Sequence, residues 1–101
     1  MQQAAYFIFT VDVHDQHGMQ PYQAQVAQTY APYGGKLLVA GGALQAVEGQ
    51  PPQGRVIILQ FPSVEQAQAW HASGAYQAIL GYRLASATSD GYLVEGCALA
   101  G

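Results

Sequence analysis

Alternating apolar and polar positions predict a sheet of four strands. Successive strand residues point to opposite sides, so a regular alternation marks a strand with one buried face. The first strand has a wholly apolar face made of Phe7, Phe9, Val11 and Val13. The predicted strands cover residues 6–13, residues 36–40 continued by 43–47, residues 55–61, and residues 91–96. The second strand is expected to bend at the glycine pair of residues 41–42, where small residues permit a bulge.

Apolar residues at helical spacing predict two helices between the strands. Tyr22, Val26 and Tyr30 recur with this period, which indicates a helix over residues 21–31, and Asp15 before it is typical of a turn or a helix cap. Ser63 and Gln66 have the spacing of a capping box, so the second helix should begin at Ser63. It should be interrupted at residues 73–74 and continue over 75–84.

The resulting order, β-α-β-β-α-β, predicts an α+β fold of the ferredoxin-like type. Right-handed crossovers place both helices on one face of a four-stranded antiparallel sheet. The other face is expected to need a cover as well: in the third strand Ile57, Leu59 and Phe61 point one way and Val56, Ile58 and Gln60 the other, and neither set suits water. Burial of even ~600 Å² of apolar area per subunit would contribute on the order of 15 kcal/mol before association costs. We therefore expect a homodimer with the two sheet faces packed together.

Composition narrows the possible partners. The chain of 101 residues is long enough for a single domain over residues 1–101, half of its residues are apolar, and only 9% are charged. Its net charge is −3, and its three cations, Lys36, Arg55 and Arg83, are too scattered to neutralise a phosphate backbone. Nucleic-acid binding is therefore not expected. No positively charged leader or long apolar span is present in the sequence, which predicts a cytoplasmic protein without membrane attachment.

Several segments together resemble a known family. They are the glycine-bracketed strand of residues 34–42, Glu48-Gly49, residues 55–63, residues 73–76, and residues 93–96. In this order and spacing they are similar to domain of unknown function family 1330 over nearly the whole chain. The resemblance implies a dimeric α+β barrel. The wider superfamily includes cofactor-free monooxygenases of polyketide aromatics, lactone isomerases, haem-degrading enzymes and non-catalytic ligand binders.

Three positions depart from the pattern of that family. Gln60 stands where Glu is expected before Phe-Pro-Ser, Ala40 where Arg is frequent, and Gly74-Ala75 where Pro-Glu usually precedes the tyrosine. An amide neither abstracts protons nor holds a negative charge, so a reaction that needs a carboxylate at position 60 is not expected here. Haem breakdown is also disfavoured, since relatives use an Asn and this chain contains none.

In this architecture a small-molecule pocket is expected between the sheet and the helices, with walls from the first strand, the middle of the third strand and the second helix. The ligand-binding candidates for its walls are Tyr6, Gln60 and Trp70, and the candidates for chemistry are His71, Tyr76 and Arg83. His71 is the candidate general base, unless it faces solvent because the neighbouring Trp70 is in the core. Arg83 is suited to clamp a substrate carboxylate or to bond helix-end carbonyls. Tyr76 would donate its hydroxyl to a ligand or simply bury its ring.

Two functions remain open from the sequence. The first is a homodimer that binds an apolar or aromatic small molecule, as a cofactor-free monooxygenase or isomerase or as a plain binder. The alternative is a non-catalytic protein-interaction module. Residues 12–17 contain ligand types suited to a divalent metal but fix no fourth ligand by their spacing. No metal and no cofactor is therefore expected.

Overall fold

A computed structural model describes residues 3–97, which form four strands and three helices. The strands are β1 (Ala5–Val13), β2 (Lys36–Ala40), β3 (Arg55–Phe61) and β4 (Ala87–Glu95). The helices are α1 (Gln16–Tyr30), α2 (Val64–Ala72) and α3 (Gly74–Ser86), and a short 3-10 turn (Ala31–Tyr33) follows α1. The strands form one antiparallel sheet in the order β2-β3-β1-β4. This order confirms the predicted ferredoxin-like α+β fold.

The core lies between one face of the sheet and the helices. Phe7, Phe9 and Val11 of β1 are buried there, as the alternation predicted. Trp70 of α2 is fully buried at the centre, with the ring of Phe7 at 5.3 Å and that of Tyr76 at 4.1 Å between centroids. Its indole N–H donates to Thr29 Oγ1 of α1 at 3.0 Å, so the buried polar atom is paired. One tryptophan thereby ties the sheet, α1 and α3 together.

The opposite face of the sheet is open and largely apolar. We call this the open face; its apolar part is formed by Tyr6, Ile8, Val39, Val56, Ile58, Tyr92 and Val94, and the strand register places Gln60, Lys36, Thr10, Thr88 and Asp90 on the same side. Tyr92 is 60% exposed and Val94 47%. The Cα atoms span only 16 Å along the shortest axis, so the described chain is two layers thick. The open face has the composition of an interface rather than of a solvated sheet.

Helix starts follow the predicted capping residues. Asp15 caps α1 by accepting from the N–H of Gly18 at 3.0 Å, so the helix begins at Gln16. The predicted start at Pro21 is therefore five residues too late. Pro21 lies inside α1 and forgoes one helical hydrogen bond. Ser63 caps α2 by accepting from the N–H of Gln66 at 3.1 Å, which confirms that half of the capping box.

Ser73 serves both helices at the predicted interruption between α2 and α3. Its hydroxyl donates to the carbonyl of Trp70 at 2.7 Å, and its oxygen accepts from the N–H of Tyr76 at 3.2 Å. It is therefore the last cap of α2 and the first cap of α3. A single side chain therefore caps both helices at their junction.

The predicted continuation of β2 over residues 43–47 is wrong. Gly41 has a φ of 72° at the end of β2, and residues 42–47 have no regular structure. Ala40 pairs with Ile57, so a longer β2 would need to pair with residues that precede β3. Pro51 and Pro52 lie there and cannot donate to a ladder. The last strand also begins earlier than predicted, at Ala87, because it pairs with β1 as far as Val13.

Gly54→Ala is expected to destabilise the fold strongly. Gly54 has a φ of 80°, and a Cβ there would overlap the main-chain carbonyl of Val11. The left-handed backbone costs about 1–2 kcal/mol, and displacement of the main chain at Val11 adds to this loss. Gly49→Ala is the matched control, because Gly49 has a φ of 71° with open space around it. Urea unfolding followed by circular dichroism measures both, and equal losses would contradict the overlap at Gly54.

Candidate functional site

A cavity of about 170 Å³ lies between the sheet and helices α1 and α3. Its walls are almost entirely apolar, and their polar atoms come from few side chains. The lining residues are Phe9, Val11, Tyr22, Gln23, Val26, Tyr30, Leu37, Ala40, Ile57, Leu59 and Arg83. The walls come from β1 and β3 as predicted, but from α1 and α3 where α2 was expected. A concave, partly open apolar space with a few polar groups is typical of a small-molecule site.

The cavity has an open end and a closed end. Gln23, Leu37 and Ala40 are exposed and surround the mouth, beside the edge strand β2. Phe9 and Arg83 are among the buried lining residues, and Arg83 is only 7% exposed; we call the part of the wall that these two form the floor.

Arg83 is held between aromatic rings on the cavity floor. Its guanidinium carbon lies 4.9 Å from the ring centroid of Phe9 and 5.4 Å from that of Tyr22. Nη1 donates to the hydroxyl of Tyr22 at 3.3 Å, and Nε is buried without a hydrogen-bond partner. Among residues 3–97, its side chain bonds no helix-end carbonyl, which was the structural alternative considered from the sequence.

The charge of Arg83 is not balanced by a carboxylate in the described chain. All six Asp and Glu residues are exposed, and none of them lines the cavity. Burial of an unpaired charge costs several kcal/mol. Contact with Phe9 and Tyr22 returns about 2 kcal/mol when such cation–π pairs are desolvated. A net cost remains, and it can be offset by an anion.

Two tyrosine hydroxyls extend the polar end of the cavity. The hydroxyl oxygens of Tyr22 and Tyr76 lie 3.1 Å apart and share a hydrogen bond. Burial raises the pKa of Tyr76 far above its usual value, and the nearby Tyr22 raises it further. Burial, and then Tyr22, also raises the pKa of Tyr30. The Tyr76 and Tyr30 phenols therefore keep their protons at neutral pH and act as donors rather than as bases.

His71 lies outside this cavity. Its ring stacks on Phe7 with centroids 5.6 Å apart, and it borders an open depression together with Gln68, Gly91 and Leu93. Burial lowers the pKa of His71, and the positive charge of Arg83 lowers it further. The imidazole is accordingly neutral at pH 7 and able to accept a proton. It has this capacity in the depression and not on the cavity floor.

The six side chains predicted to share one pocket lie in four places. Tyr6 and Gln60 lie on the open face, where the amide of Gln60 donates to the hydroxyl of Tyr6 at 3.2 Å. Trp70 is in the core with no exposed surface, and His71 faces the outer depression. Arg83 reaches the cavity, and Tyr76 joins it through Tyr22. The expectation of convergence is therefore wrong for four of the six, because strand parity and helical rotation direct them elsewhere.

The structure adds residues that the sequence did not single out. Tyr22 was noted only for its helical spacing, and Phe9 only for the apolar face of β1, yet both touch the guanidinium of Arg83. One available signal was the position of Tyr22 on the inner face of α1. Within residues 3–97 no group of three or more His, Cys, Asp or Glu is placed to hold a metal ion. No helix in this range is long and apolar enough to cross a membrane.

Comparisons with known proteins agree on the fold. The model of the family described as Domain of unknown function (DUF1330) matches residues 4–97. Among solved structures, the RPA0582 protein of unknown function from Rhodopseudomonas palustris is 15% identical with a TM-score of 0.74, covering 98% of this chain and 86% of that one. SnoaB, a cofactor-independent oxygenase from Streptomyces nogalater, is 16% identical with a TM-score of 0.70, covering 96% of each chain. No curated protein matches the chain.

Proposed function

This chain belongs to the DUF1330 family, and from that membership and its cavity we propose that it binds a small apolar or aromatic molecule between its sheet and its helices. The observation that carries the proposal is the apolar cavity of about 170 Å³ with a polar floor. An apolar cavity of about 150 Å³ accepts benzene. One aromatic ring therefore fits inside, and a larger ligand would extend through the mouth between Gln23, Leu37 and Ala40.

For the reaction, we propose cofactor-free oxygenation of an aromatic ligand. The fold shared with SnoaB supports this choice, since that protein is a cofactor-independent oxygenase. In such a reaction the substrate supplies all the electrons. A ring CH₂ group and O₂ become C=O and water, so one oxygen atom enters the product and the other leaves as water. The dry walls of the cavity favour this chemistry because they keep solvent away from a reactive carbanion. Isomerisation of the same ligand class would use the same cavity.

The proposed assembly is a homodimer in the cytoplasm, with the open faces of two copies packed together. The apolar side chains of the open face support this. The helices cover only one side of the sheet, so the apolar side chains on the other side need a second packing partner. The alternative function, a non-catalytic protein-interaction module, would use the same face for a different protein. The cavity favours the ligand-binding proposal, since an interaction module does not need one.

A pair of matched variants tests ligand binding. Val26 is half-buried in the cavity wall, so Val26→Phe should fill the space that one ring would occupy. Val47 is 84% exposed and outside the cavity, so Val47→Phe adds the same ring where it blocks nothing. Saturation-transfer NMR should detect benzamide on the wild type and on Val47→Phe, with at least a tenfold weaker signal on Val26→Phe. Equal binding of benzamide to all three proteins contradicts the proposal, and so does the failure of the wild type to bind any one-ring compound, neutral or charged.

The oxygenation is tested separately with an oxygen electrode. Anthrone, a three-ring ketone with one acidic CH₂ group, is supplied to metal-free protein, and its conversion to anthraquinone is followed by absorbance. Oxygen uptake above the spontaneous rate, reduced in Val26→Phe, supports the reaction. Binding without any uptake would contradict the oxygenase and leave a ligand-binding protein.

A further inference from the structure

We propose that the ligand of this cavity is an aromatic acid, whose anionic oxygen pairs with the guanidinium of Arg83. The shared chemistry is one ring with one negatively charged oxygen group, either a carboxylate or an ionised phenol. This inference rests on the proposed function, because it specifies the ligand class of the same cavity. It assigns Arg83 as the residue that recognises the charge.

Arg83 has hydrogen-bonding capacity that the described chain does not use. A guanidinium has five N–H donors, and one of its nitrogens, Nη1, donates to Tyr22 Oη in the described chain. Nε is fully buried and unpaired, which is rare for a native side chain. Arg83 also lines the cavity and is 93% buried, so an anion bound in the cavity would lie beside a guanidinium that is almost wholly removed from water.

The positive charge of Arg83 is not neutralised within the described chain. Arginine cannot lose its proton in proteins, unlike a buried lysine or histidine. The chain has six carboxylate residues against three cations, yet all six are exposed at the surface. The fold therefore isolates one cation from every carboxylate described. A ligand anion is the partner that this arrangement lacks.

The walls of the cavity away from Arg83 are almost entirely apolar. Val26, Ile57 and Leu59 line the cavity, and their apolar side chains would pack against the ring of a bound ligand. Planar guanidinium groups match carboxylates in a bidentate fashion, and they bond a phenolate through single N–H groups. The Tyr22 hydroxyl lies beside Nη1 at 3.3 Å and would stand next to the bound oxygen. An aromatic acid satisfies the floor and the walls at once.

The experiment compares ligands that differ in charge but little in shape. Benzoate and benzamide have nearly the same size, and 4-nitrophenolate supplies the phenolate arm. Dissociation constants are measured by saturation-transfer NMR titration with the wild type. At least one anion should bind about tenfold or more tightly than benzamide. The stronger of the two anions identifies carboxylate or phenolate as the preferred group. Equal binding of both anions and benzamide overturns the inference but leaves the proposed cavity function intact.

Variants at Arg83 separate recognition from a structural role. Arg83→Met removes the charge while filling a similar volume, and it should abolish the preference for the anion without lowering the melting temperature. Replacement of buried charges by apolar residues is often neutral or stabilising. Arg55→Met is the matched control, because it removes a positive charge from an exposed position and should leave the preference unchanged. Retention of the preference in Arg83→Met overturns the assignment.

Two further outcomes are informative. Arg83→Lys keeps the charge, so it should retain part of the preference for anions even if Arg83→Met fails to fold. If Arg83→Lys loses the preference for anions as completely as Arg83→Met does, pairing through charge is contradicted. If no ring compound of either charge binds the wild type, the proposed cavity function fails and this inference fails with it.

Discussion

Trp70→Ala is expected to lose about 3–5 kcal/mol of the free energy of unfolding, in line with large-to-small substitutions in cores. Trp70 has no exposed surface and lies within 5.5 Å of the rings of Phe7, Phe61 and Tyr76, measured between centroids. An alanine would leave a void between β1, β3 and α3, and these elements cannot all move in to fill it. A domain of this size typically has only about 5–15 kcal/mol in total. The variant should therefore stand near the limit of folding at 37 °C.

Trp70→Phe is the matched control for this loss. It keeps an aromatic ring in the same place and removes the indole N–H that donates to Thr29 Oγ1. We expect it to lose about 1–2 kcal/mol, the cost of the missing hydrogen bond and the smaller ring. Both values come from urea unfolding followed by far-ultraviolet circular dichroism. A loss below about 1 kcal/mol for Trp70→Ala would show that this residue does not hold the core together.

Ile8→Lys is expected to convert the proposed homodimer into a monomer. Ile8 lies at the middle of the open face, where the strand register places it between Ile58 and Tyr92. In a single copy a lysine there can reach water, because Ile8 is only half-buried. In a dimer the symmetry would bring two charges into one apolar interface, where each would be desolvated without a partner. Association should weaken by a factor of about 10³ or more.

Light scattering at micromolar concentration measures this change. The wild type should have twice the 10.7 kDa mass of one chain, and Ile8→Lys should have the mass of a single chain. Gln28→Lys, on an exposed position of α1, is the control and should remain dimeric. A wild-type mass near 10.7 kDa would overturn the dimer, and a dimeric Ile8→Lys would place the interface on another surface.

The sequence was sufficient to predict the fold because its local signals agree with each other. The apolar face of β1, the caps at Asp15 and Ser63, and the break at Ser73 are all found where expected. Residues 43–47 do not themselves show that β2 ends before them. The end of β2 depends on Pro51 and Pro52, which a longer strand would have to pair with. Pairing between distant segments decides such a strand, not its own alternation.

The candidate site was only partly predictable, for a reason that strand parity makes clear. Tyr6 has the parity of Ile8 and lies opposite to Phe7, so a buried Phe7 already implies that Tyr6 faces away from the helices. Gln60 follows the same rule on β3. Trp70 and His71 are adjacent on α2, and the burial of one turns the other outward. Arg83 was named as a candidate, but its isolation from every described carboxylate depends on the tertiary fold.

The double role of Ser73 gives the cavity a mechanical property. Arg83 stands ten residues beyond Ser73 on α3, which corresponds to a lever of about 15 Å at the rise of an α-helix. A tilt of only about 4° at its pivot would carry the guanidinium about 1 Å across the floor. The two hydrogen bonds of one serine hydroxyl, to Trp70 and Tyr76, fix that pivot to the core. Ser73 thus contributes to the alignment of the charge from a point outside the binding pocket.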